Sequence, residues 1–197
     1  TAEPVGTTWR LSGTKVFVDY ANVSDIILWP ARTPHLGDPE SVSLFMVPTS
    51  TKGITIRQLK TIGGDKQCEV TLDGTIISGQ SVLGSLGQGW PTIQRTLDVA
   101  TVLLCAESVG IAQTALDMSI KHVTQRVQFG RALGQFQAVK HHCANMAMQV
   151  EGARLLTHEA ISLLSEDASA TQQVSVAKAF TSEACREVPL TAHQLHG

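Results

Sequence analysis

Arg126 begins the stretch of this sequence that is best suited to hold a charged, aromatic ligand. Its guanidinium group can offer a pyrophosphate a planar fork of hydrogen-bond donors. Gly130 and Gly134 permit a turn of the backbone, and Phe129 and Phe136 can seal that turn onto a core. The same spacing also fits an ordinary connection between two helices with a solvated arginine, so the residues alone leave both interpretations open.

Histidine and cysteine residues raise the question of a metal site or a nucleophile, but their spacing favours neither. Two histidines one helical turn apart, without an acid and a third ligand, are weak evidence for a metal. Cys143 follows His142 directly, and adjacent residues of a helix do not face each other, which favours a buried structural cysteine. We therefore expect no metal. The histidines considered are His141, His142, His158, His193 and His196.

The composition excludes several classes of function. The chain has 197 residues, a formal net charge of -2 and a pI near 6.3, so it lacks the basic surface that nucleic acids or anionic membranes attract. Its four cysteines lie far apart, as is typical of reduced thiols in a cytoplasmic protein. We find no charged-then-apolar leader and no uninterrupted apolar run of about 18 residues, and expect neither secretion nor a membrane span. A start at Thr1 and a stop at Gly197 suggest a piece of a longer polypeptide.

Residues 1–88 have the period-two pattern of β-strands. Gly13 separates two predicted strands, Pro30 and Pro48 end two others, and Asp73-Gly74 between apolar runs predicts a tight hairpin. The predicted strands are 9–12, 15–19, 26–29, 43–47, 54–58 and 69–77, with a loop at 32–40. Because no helices connect these strands, we expect an antiparallel β sandwich or barrel.

From about residue 89 the apolar period changes to 3.6, which predicts three long helices at 90–125, 136–164 and 171–195. Pro189 should kink the third helix or end it early, because proline lacks the amide donor. Long helices with short connections pack antiparallel, and their length implies further helices or partner subunits. The predicted inward stripe of the first helix is Ile93, Leu97, Ala100, Leu104, Ser108, Ile111, Ala115 and Met118.

The order of these features resembles the acyl-CoA dehydrogenases, and more narrowly their bacterial, actinobacterial-type branch. The resemblance covers essentially the whole chain. It implies an α+β architecture in which residues 1–88 are part of a middle β domain and residues 89–197 are a truncated C-terminal helical bundle domain, with the N-terminal helical domain absent. The motifs that carry it are Trp9, Gly13-Thr-Lys-Val-Phe-Val18, the Gly89-Trp90 pair, Arg126-Val-Gln-Phe-Gly130, Phe136-Gln137 and Gln194-Leu-His-Gly197.

The resemblance implies FAD as the cofactor and assigns three groups of residues to it. Arg126, Gln128 and Phe129, with Gln137 nearby, would contact the FAD pyrophosphate of the neighbouring subunit. The segment along the adenosine end of FAD would be Gln194, Leu195, His196 and Gly197. Phe17, Val18 and Asp19 match a Trp-Ile-Thr-type segment that packs on the isoalloxazine. Asp19 replaces a hydroxyl near the flavin N5, where a carboxylate disfavours negative charge on reduced flavin.

The reaction that the resemblance implies is removal of the α proton of an acyl-CoA by a carboxylate and of the β hydrogen, as hydride, by flavin N5, leaving a trans-2-enoyl-CoA. One family position for that carboxylate falls at Ala100, which cannot act as a base, and the next residue, often arginine, is Thr101. Asp98 points about 200° round the helix from Ala100, and Glu107 lies two turns, about 10 Å, along it. Either acid also fits a structural or solvated role, so we expect the base beyond Gly197 or on a partner subunit.

Two functions from different classes follow from the resemblance. The first is an oligomeric, cytoplasmic acyl-CoA dehydrogenase of fatty acid β-oxidation, a homo- or hetero-oligomer (dimer or tetramer) that passes electrons to an electron-transferring flavoprotein; Arg126 and Gln137 favour it. The second is a catalytically silent or FAD-supporting subunit of a heteromeric enzyme, which Ala100, Thr101 and Asp19 favour. A related flavin enzyme such as an oxidase is a third. This fragment alone should be inactive, because the cofactor site is divided between subunits and the CoA site lies largely in the missing part.

Overall fold

The computed structural model describes residues 1–33, 41–166 and 169–197. These residues form two compact units, Thr1–Gln94 and Arg95–Gly197, called here the β unit and the helical unit and each described by itself. The predicted order of antiparallel sheets followed by three long helices is confirmed.

The β unit consists of a four-stranded sheet in the order β1-β2-β6-β5 and a three-stranded sheet in the order β3-β4-β7. Its strands are β1 (Ala2–Val5), β2 (Thr8–Asp19), β3 (Ile26–Arg32), β4 (Val42–Pro48), β5 (Ile54–Gln58), β6 (Gln67–Ser78) and β7 (Val82–Leu83). Every pairing between these strands is antiparallel. Buried residues of both sheets share one core, and the described strands do not close into a barrel, so the unit is a sandwich.

Strands β2 and β6 are each continuous, which corrects two predictions from the sequence. Gly13 lies within β2, and Asp73-Gly74 lies within β6 and forms no hairpin. Between Leu11 and Gly13 the pairing of β2 with β6 shifts register, and Gly74 takes a positive φ of 59° there. The Asp-Gly pair therefore forms a β-bulge, because glycine adopts the left-handed conformation that a bulge requires without strain.

Strand β3 continues through Pro30 to Arg32, although the sequence predicts an end at Pro30. This strand lies at the edge of its sheet, where a missing amide donor costs no ladder hydrogen bond. Trp29 pairs in register with Phe45, whose ring lies 5.5 Å from that of Trp9, and all three side chains are buried. Most of the loop predicted at 32–40 lies outside the described residues.

The three helices are α1 (Gly89–Gln125), α2 (Gln137–Ser165) and α3 (Thr171–His196), within two residues of the predicted spans. The buried face of α2 runs from its middle to its C-terminal end at steps of three and four residues. Its buried residues are Met146, Val150, Ala153, Thr157, Ala160 and Leu164. The Arg95 guanidinium donates to the carbonyl oxygen of Leu164 near the C-terminal end of α2, where carbonyls lack intrahelical partners.

The prediction of which face of α1 packs inward is wrong. Leu97, Leu104, Ile111 and Met118 are exposed, and the buried side chains lie on another face of the helix. That buried face consists of Val102, Cys105, Val109, Ala112, Leu116, Ser119 and Val123. Because α1 is apolar on both faces, the period alone does not select the one that packs within this chain. By length and composition α1 is also apolar enough to cross a membrane, a test that core helices of soluble proteins pass as well.

Helix α3 also differs from its prediction at Pro189. It continues past Pro189 to His196, because Val188 and Ala192 are buried on either side of the proline and packing holds the helix together. Its N-cap residue is Ala170, which has no side chain that could cap the helix.

Candidate functional site

A small β-hairpin follows the C-terminal end of α1 and contains the Arg126 motif. Strand β8 (Val127–Gln128) pairs with β9 (Arg131–Ala132). The two residues that join them, Phe129 and Gly130, have φ values of 56° and 77°. Positive φ at both central residues is the requirement of a type I′ turn, so the motif is an ordered hairpin rather than an irregular loop.

Phe129 is an unusual residue for the first central position of such a turn. Asparagine, aspartate and glycine are preferred there, and a left-handed conformation costs a residue with a bulky side chain about 1–2 kcal/mol. The Phe129 side chain is nevertheless 88% exposed, so the burial of this ring in the described residues does not offset the strain. Strain combined with an exposed aromatic ring is typical of a residue that a binding site holds in place.

Two further side chains complete the hairpin: Phe136, which the sequence predicts to seal the turn, and Arg131, which the sequence did not single out. The Arg131 guanidinium lies 4.0 Å from the centroid of the Phe136 ring, and the Phe129 and Phe136 rings meet at 90° with 6.1 Å between centroids. Phe136 also precedes the first residue of α2, Gln137. The aromatic pair and the stacked arginine therefore fix the hairpin against the start of α2.

The sequence segment that contains the hairpin carries positive charges and no acidic residue. No aspartate or glutamate occurs from Met118 to Val150, in a chain whose net charge is -2. The Arg126 side chain is exposed and makes no hydrogen bond or ion pair with the described residues. An unpaired guanidinium in an acid-free segment fits a pyrophosphate, and this absence of acids was a signal available in the sequence. The basic residues of the segment are Lys121, Arg126, Arg131 and Lys140.

The end of α3 lies at the same end of the helical unit as the hairpin. The His196 ring packs against the ring of His122 in the last turns of α1, with 4.4 Å between centroids. His196 Nδ1 lies 2.7 Å from the Ala192 carbonyl oxygen, so this nitrogen carries the proton and donates. The Arg126 amide donates to the His122 carbonyl at 2.8 Å. The structure therefore brings together two of the three predicted FAD segments, 126–137 and 194–197.

The third predicted segment, Phe17 to Asp19, belongs to the β unit. Between Lys15 and Val18 the register of β2 against β6 shifts by one residue, and Phe17 takes a φ of 61° in this bulge. Its side chain is 67% exposed, Val18 is half-buried against the core, and Asp19 is exposed. A strained, outward-facing aromatic residue fits a surface on which a planar ring system packs.

The β unit also contains a cavity of about 790 Å³. Its polar lining residues include Lys15, Arg32 and Gln88, and its apolar lining residues include Trp90 and Pro30. The Lys15 ammonium nitrogen lies 5.6 Å from the centroid of the Trp29 ring, within the range of a cation–π contact. Two cations beside an indole ring suit an anionic ligand that carries an aromatic group.

None of the residues considered for a catalytic base has a geometry that identifies it as one. Ala100 is exposed on α1, Thr101 is half-buried, and Glu107 is exposed. Asp98 is only 8% exposed and accepts a hydrogen bond of 2.8 Å from the Thr171 hydroxyl at the start of α3. A carboxylate near a helix N-terminus is stabilised by the positive end of the helix macrodipole. Asp98 therefore fits a structural role in which it joins α1 to the start of α3.

Replacement of Asp98 by alanine should lower the free energy of unfolding by about 1–3 kcal/mol, because it removes a buried carboxylate that accepts a hydrogen bond at the start of α3. Urea denaturation followed by circular dichroism measures this. Glu107→Ala, an exposed change on the same helix, should alter stability by less than about 0.5 kcal/mol. Unchanged stability of Asp98→Ala together with lost turnover would identify Asp98 as the base instead.

The remaining titratable residues do not form a second reactive centre in the described part of the chain. Burial raises the pKa of the Cys105, Cys143 and Cys185 thiols, so these groups are protonated and weakly nucleophilic at neutral pH. No group of three metal-ligating side chains occurs among residues 1–33, 41–166 and 169–197.

Comparison with known proteins gives the family. The acyl-CoA dehydrogenase middle domain matches residues 1–75, and the acyl-CoA dehydrogenase C-terminal domain matches residues 87–197. The caffeyl-CoA reductase-Etf complex subunit CarC of Acetobacterium woodii is 32% identical over 100% of this chain and 53% of its own length. The human mitochondrial short-chain specific acyl-CoA dehydrogenase is 30% identical over 100% of this chain and 48% of its length.

A solved structure of a homologue agrees with the fold. Butyryl-CoA dehydrogenase from Megasphaera elsdenii superposes with a TM-score of 0.90 at 28% identity, covering 100% of this chain and 52% of its own. The chain thus spans about half the length of the relatives it matches. Two matching domain families and full coverage by homologues lead to one conclusion: the chain belongs to the acyl-CoA dehydrogenase family and comprises its middle and C-terminal domain regions.

Proposed function

We propose that the protein is an FAD-dependent acyl-CoA dehydrogenase that converts an acyl-CoA thioester to a trans-2-enoyl-CoA. The observation that carries this proposal is the Arg126 hairpin, in which a strained, exposed Phe129 adjoins an unpaired guanidinium in an acid-free segment. Membership of the family supports the reaction class, and the hairpin supports retention of the cofactor.

Bound FAD would supply the two-electron acceptor for the hydrogen that leaves the β carbon of the substrate. In the helical unit, Arg126 would neutralise the pyrophosphate and Phe129 would exclude water from it. Arg131, stacked on Phe136, would keep the hairpin in the conformation that presents both residues. In the β unit, Phe17 would pack on the flavin ring system.

The cavity of the β unit would receive the anionic part of the thioester. Coenzyme A combines phosphate groups with an adenine ring, and the lining combines Lys15 and Arg32 with the Trp90 indole. The volume of about 790 Å³ lies within the range of small-molecule sites, about 300–1,000 Å³. The acyl group would extend beyond this cavity to the reacting centre.

The alternative is an FAD-supporting subunit of a heteromeric dehydrogenase, and Ala100 favours it. The helix position that holds the carboxylate in some relatives is an exposed alanine here, so the base would come from another part of the protein or from another subunit. In either form the protein would work as an oligomer in the cytoplasm and pass electrons to an electron-transferring flavoprotein. A relative that is a subunit of an Etf complex supports that partner.

The test is a spectrum of the full-length protein, purified together with any subunit that accompanies it. The protein should show the visible absorption bands of bound oxidised flavin. Addition of a suitable acyl-CoA should reduce the flavin and bleach its absorption of blue light. Bleaching by the protein alone favours the complete dehydrogenase, and bleaching only with a second subunit favours the heteromer. A colourless preparation that takes up no added FAD would exclude both.

Lys15→Met separates substrate binding from cofactor binding. It should weaken binding of the acyl-CoA about tenfold, the effect of losing one charged contact of about 1.4 kcal/mol, with flavin content unchanged. Lys60→Met, an exposed lysine outside the cavity, is the matched control and should change neither.

A further inference from the structure

Two histidine rings meet where α1 and α3 end, and the proposed function gives this contact no role. The centroids of the His122 and His196 rings lie 4.4 Å apart, with 35° between the ring planes. That distance is at the short end of the range for aromatic pairs, about 4.5–7 Å. The two rings, called here the imidazole pair, therefore join two helix ends that lie far apart in the sequence.

Each ring of the imidazole pair is held by its own helix. His196 Nδ1 donates to the Ala192 carbonyl oxygen at 2.7 Å, within the last turn of α3. Leu195, the preceding residue, packs against the buried core of the helical unit and so anchors the end of α3. His122 is half-buried near the end of α1. The contact between the rings therefore joins two anchored side chains.

The hairpin that carries Arg126 is fixed to the turn of α1 that carries His122. The Arg126 amide donates to the His122 carbonyl at 2.8 Å, and the Leu133 amide donates to the Arg126 carbonyl at 2.9 Å. Gly134 approaches the same turn so closely that a Cβ there would lie 3.2 Å from the Val123 carbonyl oxygen. A displacement of this turn would therefore also displace Arg126.

His196 lies in the other FAD segment of the helical unit, residues 194–197, which the family resemblance assigns to the adenosine end. In FAD the adenosine is bonded directly to the pyrophosphate, so one molecule that reaches both segments requires a fixed separation between them. A site contributes its full binding energy only when its groups are held close to the required geometry. The imidazole pair connects the two segments at the distance given above.

We propose that the imidazole pair positions the Arg126 hairpin and the end of α3 for a single FAD molecule. The inference rests on the proposed function, because it assumes that both segments bind FAD. His122 and His196 act as positioning residues and need not contact the cofactor. A stacked pair also suits this location, because an ion pair would bring a carboxylate that repels the pyrophosphate.

Titration of the flavin-free, full-length protein with FAD tests the proposal, with the change in flavin absorption as the signal. His122→Ala and His196→Ala should each weaken FAD binding about two- to twelvefold, the equivalent of about 0.5–1.5 kcal/mol for an aromatic pair. The reason is that fewer molecules then hold both segments in the binding geometry. His196 is exposed, so its replacement leaves the buried core unchanged.

A double variant separates positioning from direct contact with the cofactor. Either alanine change already removes the ring contact, so His122→Ala/His196→Ala should bind FAD about as well as the weaker single variant. His122→Phe keeps a ring for stacking and should stay within about twofold of the unaltered protein. Additive losses in the double variant, or a loss in His122→Phe as large as in His122→Ala, would show that the nitrogens themselves are needed and would overturn the positioning role.

His158→Ala is the matched control, because it removes an exposed histidine of α2 outside both segments. It should leave FAD binding unchanged. An unaltered protein that binds no FAD contradicts the proposed function itself. A protein that binds FAD, and whose two single alanine variants bind it equally well, overturns the role of the imidazole pair alone.

Discussion

Arg126→Ala is expected to reduce the flavin content of the purified protein and to weaken its oligomer. The Arg126 guanidinium has no partner among the described residues, so its charge is available to a pyrophosphate. A hydrogen bond from a charged group contributes about 1.5–3 kcal/mol, which corresponds to a loss of affinity of about ten- to a hundredfold. The ratio of flavin to protein absorbance measures occupancy, and size-exclusion chromatography measures assembly.

Two control variants show which property of Arg126 matters. One keeps the positive charge but removes the planar fork of donors, and the other removes an arginine elsewhere in the chain. Arg126→Lys keeps the charge without the planar fork and should retain an intermediate flavin content. Arg57→Ala removes an exposed arginine of the β unit, where its guanidinium pairs with Glu69 at 3.1 Å, and should leave flavin unchanged. Normal flavin occupancy in Arg126→Ala would contradict the assignment of the hairpin to FAD.

Trp29→Ala is expected to have the largest effect on stability, lowering the free energy of unfolding by about 3–5 kcal/mol. Trp29 is 2% exposed and belongs to the core shared by both sheets of the sandwich. Its removal leaves a cavity in β3, next to Pro30 and Arg32, which line the proposed substrate cavity. Urea denaturation followed by far-ultraviolet circular dichroism measures the loss.

Trp90→Ala is the control for this change. Trp90 is exposed, so the same substitution of tryptophan by alanine should cost less than about 1 kcal/mol. The two variants therefore separate burial from residue type. Equal losses of stability would show that Trp29 does not hold the two sheets together.

The helix spans were predictable from the sequence to within two residues, because the apolar period of 3.6 residues is repeated over more than 25 residues in each helix. The errors have local physical causes. The Asp73-Gly74 pair supplies a left-handed backbone to a bulge as readily as to a hairpin, and only pairing with β2 decides between them. Pro30 and Pro189 were tolerated where an edge position or buried neighbours removed the usual penalty. The packed face of α1 depends on tertiary contacts, since both its faces are apolar.

The order of the motifs along the chain was enough to predict the residues of the candidate site, but it did not predict how their side chains are arranged. The sequence identified Arg126 and Phe129 through their spacing. It did not indicate the positive φ of Phe129 or the stacking of Arg131 on Phe136. Both depend on the pairing of β8 with β9, and strands of two residues are too short to show a period-two pattern in the sequence. The acid-free segment around them was visible in the sequence and is informative only when the hairpin is known to be ordered.

The strained Phe129 also bears on how the protein has evolved. In the absence of a ligand, replacement by asparagine or glycine would relax the turn, so mutational drift would remove the phenylalanine from a subunit that had lost its cofactor. If the turn serves FAD, selection for the cofactor would oppose this drift. Among homologues of this chain, the residue at position 129 should therefore distinguish lineages that retain FAD from those in which the cofactor site has decayed.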